Sequence, residues 1–550
     1  MQKLLNKLLA QQLQFGFILL IWVLFAIIFS NLIWKNQAGD VFLRQNNAWA
    51  DWAMHFTQGS AMAHRSLLLE HSPILLDAPF SYPFLVNLIS AVLIRAGVPF
   101  FAAFTIPSWI FVSAGISLLL VFYKLVLKTE IKAIAATTLF LLNGGTGIFW
   151  VLKNKDKWQE ATHIKELGIE WISIINSSLI PQRAFGLGFL MGILSLVLLY
   201  LAWQKTEKIP NKVIITCALL VGGLPIVHMH SFAALAIYFG SLFLTIVAIS
   251  KPGSSIKSII GKMKPWTIFG LLTGGVALGV VSIAYPEFSS NKHIWWKPGW
   301  LAGENQLNWF LFWWRNWGLV PILASIGMVL VWAKEPKNLP WFTGFFTIFT
   351  FANLFALQPY LWDNTKLFAW VNVGFSALTI ITLTKIYQKN FIGKVLCLAI
   401  FVFSISSGAH DSLYTLNFSK HEYMMYSKEE LDLSEWVKES SQLESIWLTS
   451  DTHNHWLYNL TGRQPVMAYQ GWLWSHGYDS TKIAADVRKM FENPIQNLDL
   501  FQKYQINYVV ISPKELSSYA IKTADFEQNF KIVKSSDSVI IFSTKLGHEQ

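Results

Sequence analysis

Charge is what this chain lacks most. Only 14% of its 550 residues are Asp, Glu, Lys or Arg, against roughly 25% in soluble domains. With 53% of the chain hydrophobic, one large water-surrounded core is a poor match and a lipid environment a good one. Cysteine is nearly missing: Cys217 and Cys397 each lie inside an apolar run, which excludes a disulfide framework or a cysteine-based metal site. There is no GxxxxGK[ST] phosphate loop, no GxGxxG in a strand–turn–helix setting and no serine-hydrolase elbow. Acids are fewer than bases, giving a formal charge of +11. That balance could suit nucleic acid, but the lysines are placed for another purpose.

What is present is a series of long apolar runs. Candidate spans fall near Phe15–Trp34, Phe101–Tyr123, Ala133–Trp150, Phe185–Ala202, Val213–Val227, His230–Ile249, Trp266–Ala284, Trp309–Trp332, Trp341–Phe355, Phe368–Ile386 and Phe391–Ser407, or eleven crossings, several near the lower limit of about 17 residues. The first run is too long for an ordinary export signal and reads as a retained span. Pro83–Ile94 is short and reads as an interfacial helix. The pattern predicts a polytopic α-helical membrane domain over 1–408 and a small mixed α/β soluble domain over 424–545.

The lysines test this count. Lys3 and Lys7, then Lys124, Lys128 and Lys132, then Lys205, Lys208 and Lys212, then Lys251, Lys257, Lys262 and Lys264, then Lys334, Lys337, Lys385, Lys389 and Lys394 fall on one predicted side. This puts the N-terminus in the cytoplasm, with the first loop, 35–100, and the C-terminal domain outside. The loop holding Lys153, Lys155, Lys157 and Lys165 runs against the rule, though acids are mixed among them.

The predicted outer connections carry the chemistry. Asn36–His71 holds Asp40, Asp51 and His55, interleaved with Trp49, Trp52 and Phe56, as expected at a membrane–water boundary. A functional rim is one reading and a solvated loop the other. Arg183 in Pro181-Gln182-Arg183 and Arg315 in FLFWWRNWG are candidates to grip a phosphate, because arginine near hydrocarbon is costly unless paired or snorkelling. His228 and His230 suit a phosphate contact or a metal, and equally capping or bundle packing. Gln358–Lys366 reads QPYLWDNTK and packs Asp363, Asn364 and Lys366 into one turn, while Tyr285–Asn308 supplies Glu287, His293 and Glu304.

After Ser407 the composition turns mixed. Leu431–Ser440 and Ser480–Glu492 read as helices, and Ser445–Ser450, Val509–Ile511 and Val539–Phe542 as strand cores. Leu448–Gly477 is rich in groups that recognise polar ligands, among them Asp451, His453, Asn454, His455, Arg463, Trp472, Trp474 and His476. Aromatic faces beside hydrogen-bonding groups suit a carbohydrate; they also close small domains against a partner surface.

This arrangement resembles the GT-C superfamily of membrane glycosyltransferases, in particular bacterial and archaeal members with a C-terminal extracytoplasmic domain. The resemblance rests on AGDVFLRQNNAWADWAMHF at Ala38–Phe56, PQRAFG at Pro181–Gly186, HMHSF at His228–Phe232, QPYLWDNTK at Gln358–Lys366, WVKES at Trp436–Ser440 and WLTSDTHNHWLYNLTGRQP at Trp447–Pro465. It implies a sugar carried on a polyprenyl phosphate or diphosphate, an unidentified glycan, lipid or protein acceptor at the outer face of a prokaryotic cytoplasmic membrane, and no nucleic acid. A first-loop carboxylate, Asp40 or Asp51, would act as base. The acceptor hydroxyl needs its proton removed as it attacks the anomeric carbon, and the departing phosphate needs donors, for which Arg183, His228, His230, Arg315 and Lys366 are candidates. His55, Asp363, Asn364, Asp451, His453, Arg463, Trp472 and Trp474 are candidates for the acceptor or sugar, and a divalent cation on Asp51 and His55 could share the work. A lipid-linked oligosaccharide polymerase or ligase, a transporter and a non-catalytic carbohydrate receptor are the alternatives.

Overall fold

The computed structural model describes residues 2–155, 159–206, 209–249, 256–285 and 294–544. Lys157, Lys208, Lys251, Glu287 and His293, named above, lie outside them, as does the last predicted residue of the C-terminal domain. The protein is an integral membrane protein, polytopic and mostly α-helical, with a small mixed sheet near its C-terminus.

The span count needs correction. Among the described residues seven helices are long and apolar enough to cross a bilayer, or up to nine if each of two bent pairs counts as one. The seven are Gln11–Leu32, Ala102–Leu127, Arg183–Lys205, Met229–Ala248, Ile260–Ala284, Leu361–Tyr387 and Phe391–Thr415. All eleven predicted runs contain helix, but four fall short of an unbroken crossing. Asn211–Gly222 has 12 residues and Pro340–Leu354 has 15; at about 1.5 Å per residue neither reaches the roughly 30 Å of a hydrocarbon core. The other two are broken, Glu130–Leu142 from Gly147–Lys153 by 64° and Trp309–Trp317 from Val320–Lys334 by 96°.

Each break has a local cause. At the first, a Cβ on Gly145 would stand 1.8 Å from the Arg315 carbonyl oxygen, so only glycine lets the two backbones meet. The amides freed there are taken up by neighbours, Gly144 N donating to Ser404 O at 3.1 Å and Thr146 N to Arg315 O at 3.0 Å, as non-helical backbone in a membrane protein requires. At the second, Gly318 adopts φ 58°, ψ −126°, a conformation that side chains resist.

The chain divides into two compact units. The first comprises residues 1–30, 108–283 and 292–418. Its centre is the helix Thr365–Tyr387, buried along nearly its whole length and packed by Val320–Lys334, Pro340–Leu354, Phe391–Thr415, Glu130–Leu142 and Met229–Ala248. Polar residues within that helix bond inside the bundle, Asn372 Nδ2 donating to Phe140 O at 2.9 Å and Thr382 Oγ1 to Leu323 O at 2.7 Å, while Thr365 Oγ1 at its start is buried without a partner.

The second unit joins residues 31–107 and 284–291 to 419–550, so the first loop and the C-terminal segment form one body. Ile33–Lys35, Val41–Arg44 and Glu422–Tyr426 make an antiparallel three-stranded sheet. A five-stranded sheet runs Gln464–Pro465, Ile446–Leu448, Ile506–Ile511, Ile540–Ser543, Lys531–Ser535; the second strand, Ile446–Leu448, pairs in parallel on both sides, and the last three strands are antiparallel. The predicted helix at Leu431–Ser440 is Lys428–Ser440, opened by a capping box in which Ser427 and Glu430 satisfy each other's amides. Trp49–His64, in the polar stretch of the first loop, is a helix buried from Trp52 to Ala63 and packed by Leu85–Arg95 and Trp456–Thr461. A solvated loop is thereby replaced by a core element.

Candidate functional site

In the membrane-embedded unit the histidines of HMHSF open the helix Met229–Ala248. His228 is its N-cap: Nδ1 accepts from Ser231 N at 3.2 Å and pairs with Ser231 Oγ at 2.8 Å. Trp370 Nε1, which can only donate, gives its hydrogen bond to the same Ser231 Oγ at 3.0 Å. Because the Ser231 backbone N–H donates into it, Nδ1 is an acceptor, and the Ser231 hydroxyl beside it is then oriented to donate as well. A neutral His228 must then carry its hydrogen on Nε2, which is buried and meets no acceptor. His230 repeats the situation: the two residues are 5% and 9% exposed, their rings lie 5.7 Å apart, and His230 Nε2 is also buried without a partner.

Positive groups surround this pair. Lys366 lies one turn before Trp370 on the same helix face, and its ammonium acts electrostatically on both imidazoles. It forms an ion pair of 3.0 Å with Asp363, the side chains being 13% and 11% exposed. Arg183 begins the helix whose Phe185 packs edge-on against His228 at 5.6 Å, and its buried guanidinium donates Nε to Ser108 Oγ at 3.0 Å. Arg183–Thr206, Met229–Ala248 and Thr365–Tyr387 thus all have their N-termini at or beside this cluster, and helix N-termini favour negative charge. The ensemble is a set of hydrogen-bond donors suited to an oxyanion.

Two other candidates of this unit serve as structural ties. Arg315 donates Nη1 to Leu167 O at 2.6 Å. Asn364 donates Nδ2 to Ala352 O at 2.9 Å and to Phe355 O at 2.7 Å, closing the end of the helix Pro340–Leu354.

In the second unit the two first-loop aspartates differ sharply. Asp40 closes the hairpin turn: Oδ2 accepts from Asn36 Nδ2 at 2.9 Å, and Oδ1 from the backbone N of Lys428, the first residue of its helix, at 2.9 Å. These bonds, that from Asn36 foremost, hold its carboxyl below the usual carboxylate range. Asp51 is half-buried in the first turn of Trp49–His64. One turn on, His55 is buried, with Nδ1 2.8 Å from Asn87 Oδ1, and Asn87 donates to Gln58 Oε1 at 2.6 Å. A cation held by Asp51 and His55 finds no support: among the described residues no group of three or more His, Cys, Asp or Glu side chains is placed to hold a metal.

The tail residues separate likewise. Arg463 is buried and caps the helix Lys428–Ser440, giving Nη2 to Ser441 O at 2.8 Å and Lys438 O at 3.1 Å and Nε to Ser441 Oγ at 2.9 Å. His455 pairs with the fully buried Glu515 at 2.8 Å; burial pushes that carboxyl up, but His455, Ser512 and the Ser450 amide hold it down at about 2. Trp472 is buried and Trp474 exposed. His453 stands in an aromatic setting, 4.5 Å from Trp49, 5.6 Å from Tyr423 and 5.7 Å from Tyr469. Burial and the nearby Lys514 bring its pKa down to about 4, so it is neutral at physiological pH. Asp451 accepts from Gln470 Nε2 at 2.8 Å.

No protein-family model and no curated protein matches the chain. Solved structures do. The oligosaccharyltransferase of Archaeoglobus fulgidus in its apo form aligns with a TM-score of 0.55 at 11% identity, over 91% of this chain and 69% of that one. The same enzyme tethered to an acceptor peptide containing the NVT sequon aligns at 0.51 and 12% identity, over 96% and 74%. The chain shares the fold of that oligosaccharyltransferase. ArnT from Cupriavidus metallidurans bound to undecaprenyl phosphate aligns at 0.48 and 11% identity, over 97% of this chain and 98% of that one.

Sequence reasoning passed over Ser231, whose backbone N–H fixes the His228 tautomer, and Trp370, which donates to the Ser231 hydroxyl. The available signal was a histidine three residues before a serine at a helix start, the spacing of an N-cap. It also passed over Tyr423, Tyr469 and Gln470, which carry no motif and converge only through the sheet.

Proposed function

We propose that this chain is a glycosyltransferase that moves a sugar from a polyprenyl phosphate or diphosphate to an acceptor on the non-cytoplasmic face of a prokaryotic cytoplasmic membrane. One observation carries the reading. Within a membrane-embedded unit of GT-C-like fold, the buried Nε2 of His228 is a hydrogen-bond donor with no acceptor, and a lysine and three helix N-termini stand at or beside it. Such a site in lipid suits an anion that arrives with a hydrocarbon tail, because the tail partitions into the bilayer while the phosphate finds donors that cost no reorganisation.

In this reading His228, His230, Lys366 and Arg183 stabilise the negative charge that grows on the departing phosphate as the glycosidic C–O bond breaks. Asp51 accepts the proton of the attacking acceptor hydroxyl. Asp40 is the weaker candidate, since both its carboxylate oxygens are spent on the hairpin and the Lys428 amide and a depressed pKa makes a poorer base. The acceptor is held by the second unit, through Asp451 and the aromatic surroundings of His453. The lysine pattern supports a cytoplasmic N-terminus with both aspartates outside.

The test uses purified protein in lipid vesicles with radiolabelled polyprenyl-linked sugars and cell-envelope acceptors. Transfer by wild type, lost in Asp51→Asn and kept in Asp40→Asn, is expected. Donor binding with no product from wild type would overturn the enzymatic reading, and the size of the product distinguishes single-sugar from oligosaccharide transfer.

A further inference from the structure

A groove in the soluble part of the second unit extends from Asp451 onto residues to which no role has been given. It has a volume of about 330 Å³ and is lined by Asp451, Gln470, Ala484, Ala485, Arg488 and Tyr519, with Ser518 at its edge, at the small end of ligand pockets, which run from about 300 to 1,000 Å³. Its polar rim is only partly occupied. Asp451 spends Oδ2 on Gln470, and Arg488 spends Nη1 on Glu492 at 3.0 Å. Among the described residues Asp451 Oδ1, Gln470 Oε1 and the remaining guanidinium donors of Arg488 have no hydrogen-bond partner.

The signs of these groups restrict the occupant. A carboxylate on one side repels an anion, and a guanidinium on the other repels a cation. What satisfies both is a neutral molecule whose groups donate and accept at once, and vicinal hydroxyls do this in the plane of a carboxylate or guanidinium. The two alanines leave room for an apolar ring face, and the buried Tyr519, stacked on Phe491 at 4.7 Å, closes the floor.

A second feature adjoins the groove. Asp451 and Gln470 are next in chain to the loop of His453 and to Tyr469, so the aromatic setting of His453 borders the Asp451–Gln470 bridge. There Trp49 and Tyr423 remain 37% and 38% exposed, which leaves part of each ring free to pack against an apolar sugar face. Trp49 opens the helix whose first turn holds Asp51.

We infer that this groove and its aromatic border bind a neutral saccharide, and that the saccharide is the acceptor glycan. The second clause rests on the transferase reading; the first does not. Ala484 and Ala485 open the space, Asp451 and Arg488 take the hydroxyls, and Trp49 and Tyr423 offer faces for the next ring. None of these residues needs a metal or a change of shape.

The experiment measures saturation-transfer NMR and titration of full-length protein in nanodiscs with neutral disaccharides (cellobiose, maltose, chitobiose), against glucuronate, glucosamine and a neutral tripeptide. Binding of at least one neutral disaccharide is expected, weakened tenfold or more by Asp451→Asn or Arg488→Ala and abolished by Ala485→Trp, which fills the groove from an exposed helix face and leaves the core intact. Thermal midpoints within 2 °C of wild type exclude misfolding; Ala485→Gln, a smaller blocker, is read in its place if the tryptophan variant melts early. Absence of disaccharide binding, preference for a charged sugar or the peptide, or binding that Ala485→Trp leaves unchanged overturns the site. If transfer from a lipid-linked donor occurs while Ala485→Trp leaves the acceptor KM unchanged, the acceptor assignment fails and the transferase reading stands. If disaccharide binds in the groove and wild type transfers no sugar, the transferase reading fails and the saccharide site stands.

Discussion

The ion pair between Lys366 and Asp363 allows the donor-site reading to be tested without confusing catalysis with folding. Nζ and Oδ2 are 3.0 Å apart and both side chains are nearly buried. At an effective dielectric of about 20 their attraction is on the order of 5 kcal/mol before desolvation is charged against it. Replacing such a pair by neutral groups is often close to neutral in stability, whereas removing one partner costs about 3–5 kcal/mol because the other charge is stranded. Lys366→Met alone should therefore be inactive for two inseparable reasons. In Asp363→Asn/Lys366→Met no charge is stranded, and the thermal midpoint should return to within about 1 kcal/mol of wild type. If Lys366 also holds the departing phosphate, the double variant still lacks an oxyanion donor worth about 2.7–4 kcal/mol, and single-turnover transfer in proteoliposomes should remain about 10²–10³ slower. A double variant that folds normally and transfers sugar at the wild-type rate would refute the reasoning, because Lys366 would then serve only to neutralise Asp363.

Asp51→Asn should lower kcat by about 10²–10⁴ as the loss of a general base, while Asp40→Asn should leave kcat alone and lower the thermal midpoint by about 1–2 kcal/mol of lost hydrogen bonding; the opposite result reverses the assignment. Glu515 titrates at about 2 in the folded protein against 4.5 for an ordinary glutamate. Its folded value is depressed, so its contribution is fully present above pH 4.5 and is lost as pH falls from there towards 2, on the order of 3 kcal/mol in all. Glu515→Gln should flatten that acid limb in a series of melts, and an unchanged limb would remove Glu515 as its source. Gly145→Ala places a methyl 1.8 Å from the Arg315 carbonyl oxygen and should destabilise by about 1–3 kcal/mol, read as a lower midpoint in detergent.

The parts of the fold that could be read from the sequence are those set by local pattern. Runs such as Ala102–Leu127 and Phe391–Thr415 are continuous and apolar, and in the absence of water a backbone of that composition closes its own hydrogen bonds. The four runs that fall short of a clean crossing are governed from elsewhere. The break at Gly145 exists because the Arg315 backbone, 170 residues later in the chain, passes against it. The polar stretch after the first span was misleading for the same reason. His55, Thr57 and Gln58 look solvated in sequence, yet Asn87 satisfies His55 and Gln58, and Asn459 satisfies Thr57 at 2.7 Å from the far end of the chain.

The candidate site divides along the same line. Asp363 and Lys366 were legible as neighbours in one turn of QPYLWDNTK, but each was expected to meet a ligand, Lys366 a phosphate and Asp363 the sugar or acceptor, and only the structure pairs them, at 3.0 Å. The histidines of HMHSF were legible as residues but not as a donor. That required the N-cap geometry in which the Ser231 backbone N–H donates to His228 Nδ1, which leaves the hydrogen of the neutral ring on Nε2, buried with no acceptor. Trp266 Nε1 and Trp317 Nε1 are likewise buried without an acceptor, so it is the lysine and the helix N-termini beside His228 that single it out. Arg463 and Asn364 show the converse: both looked like ligand-binding residues in sequence, and both proved to be spent on helix ends, where a free carbonyl is always present and a phosphate need not be.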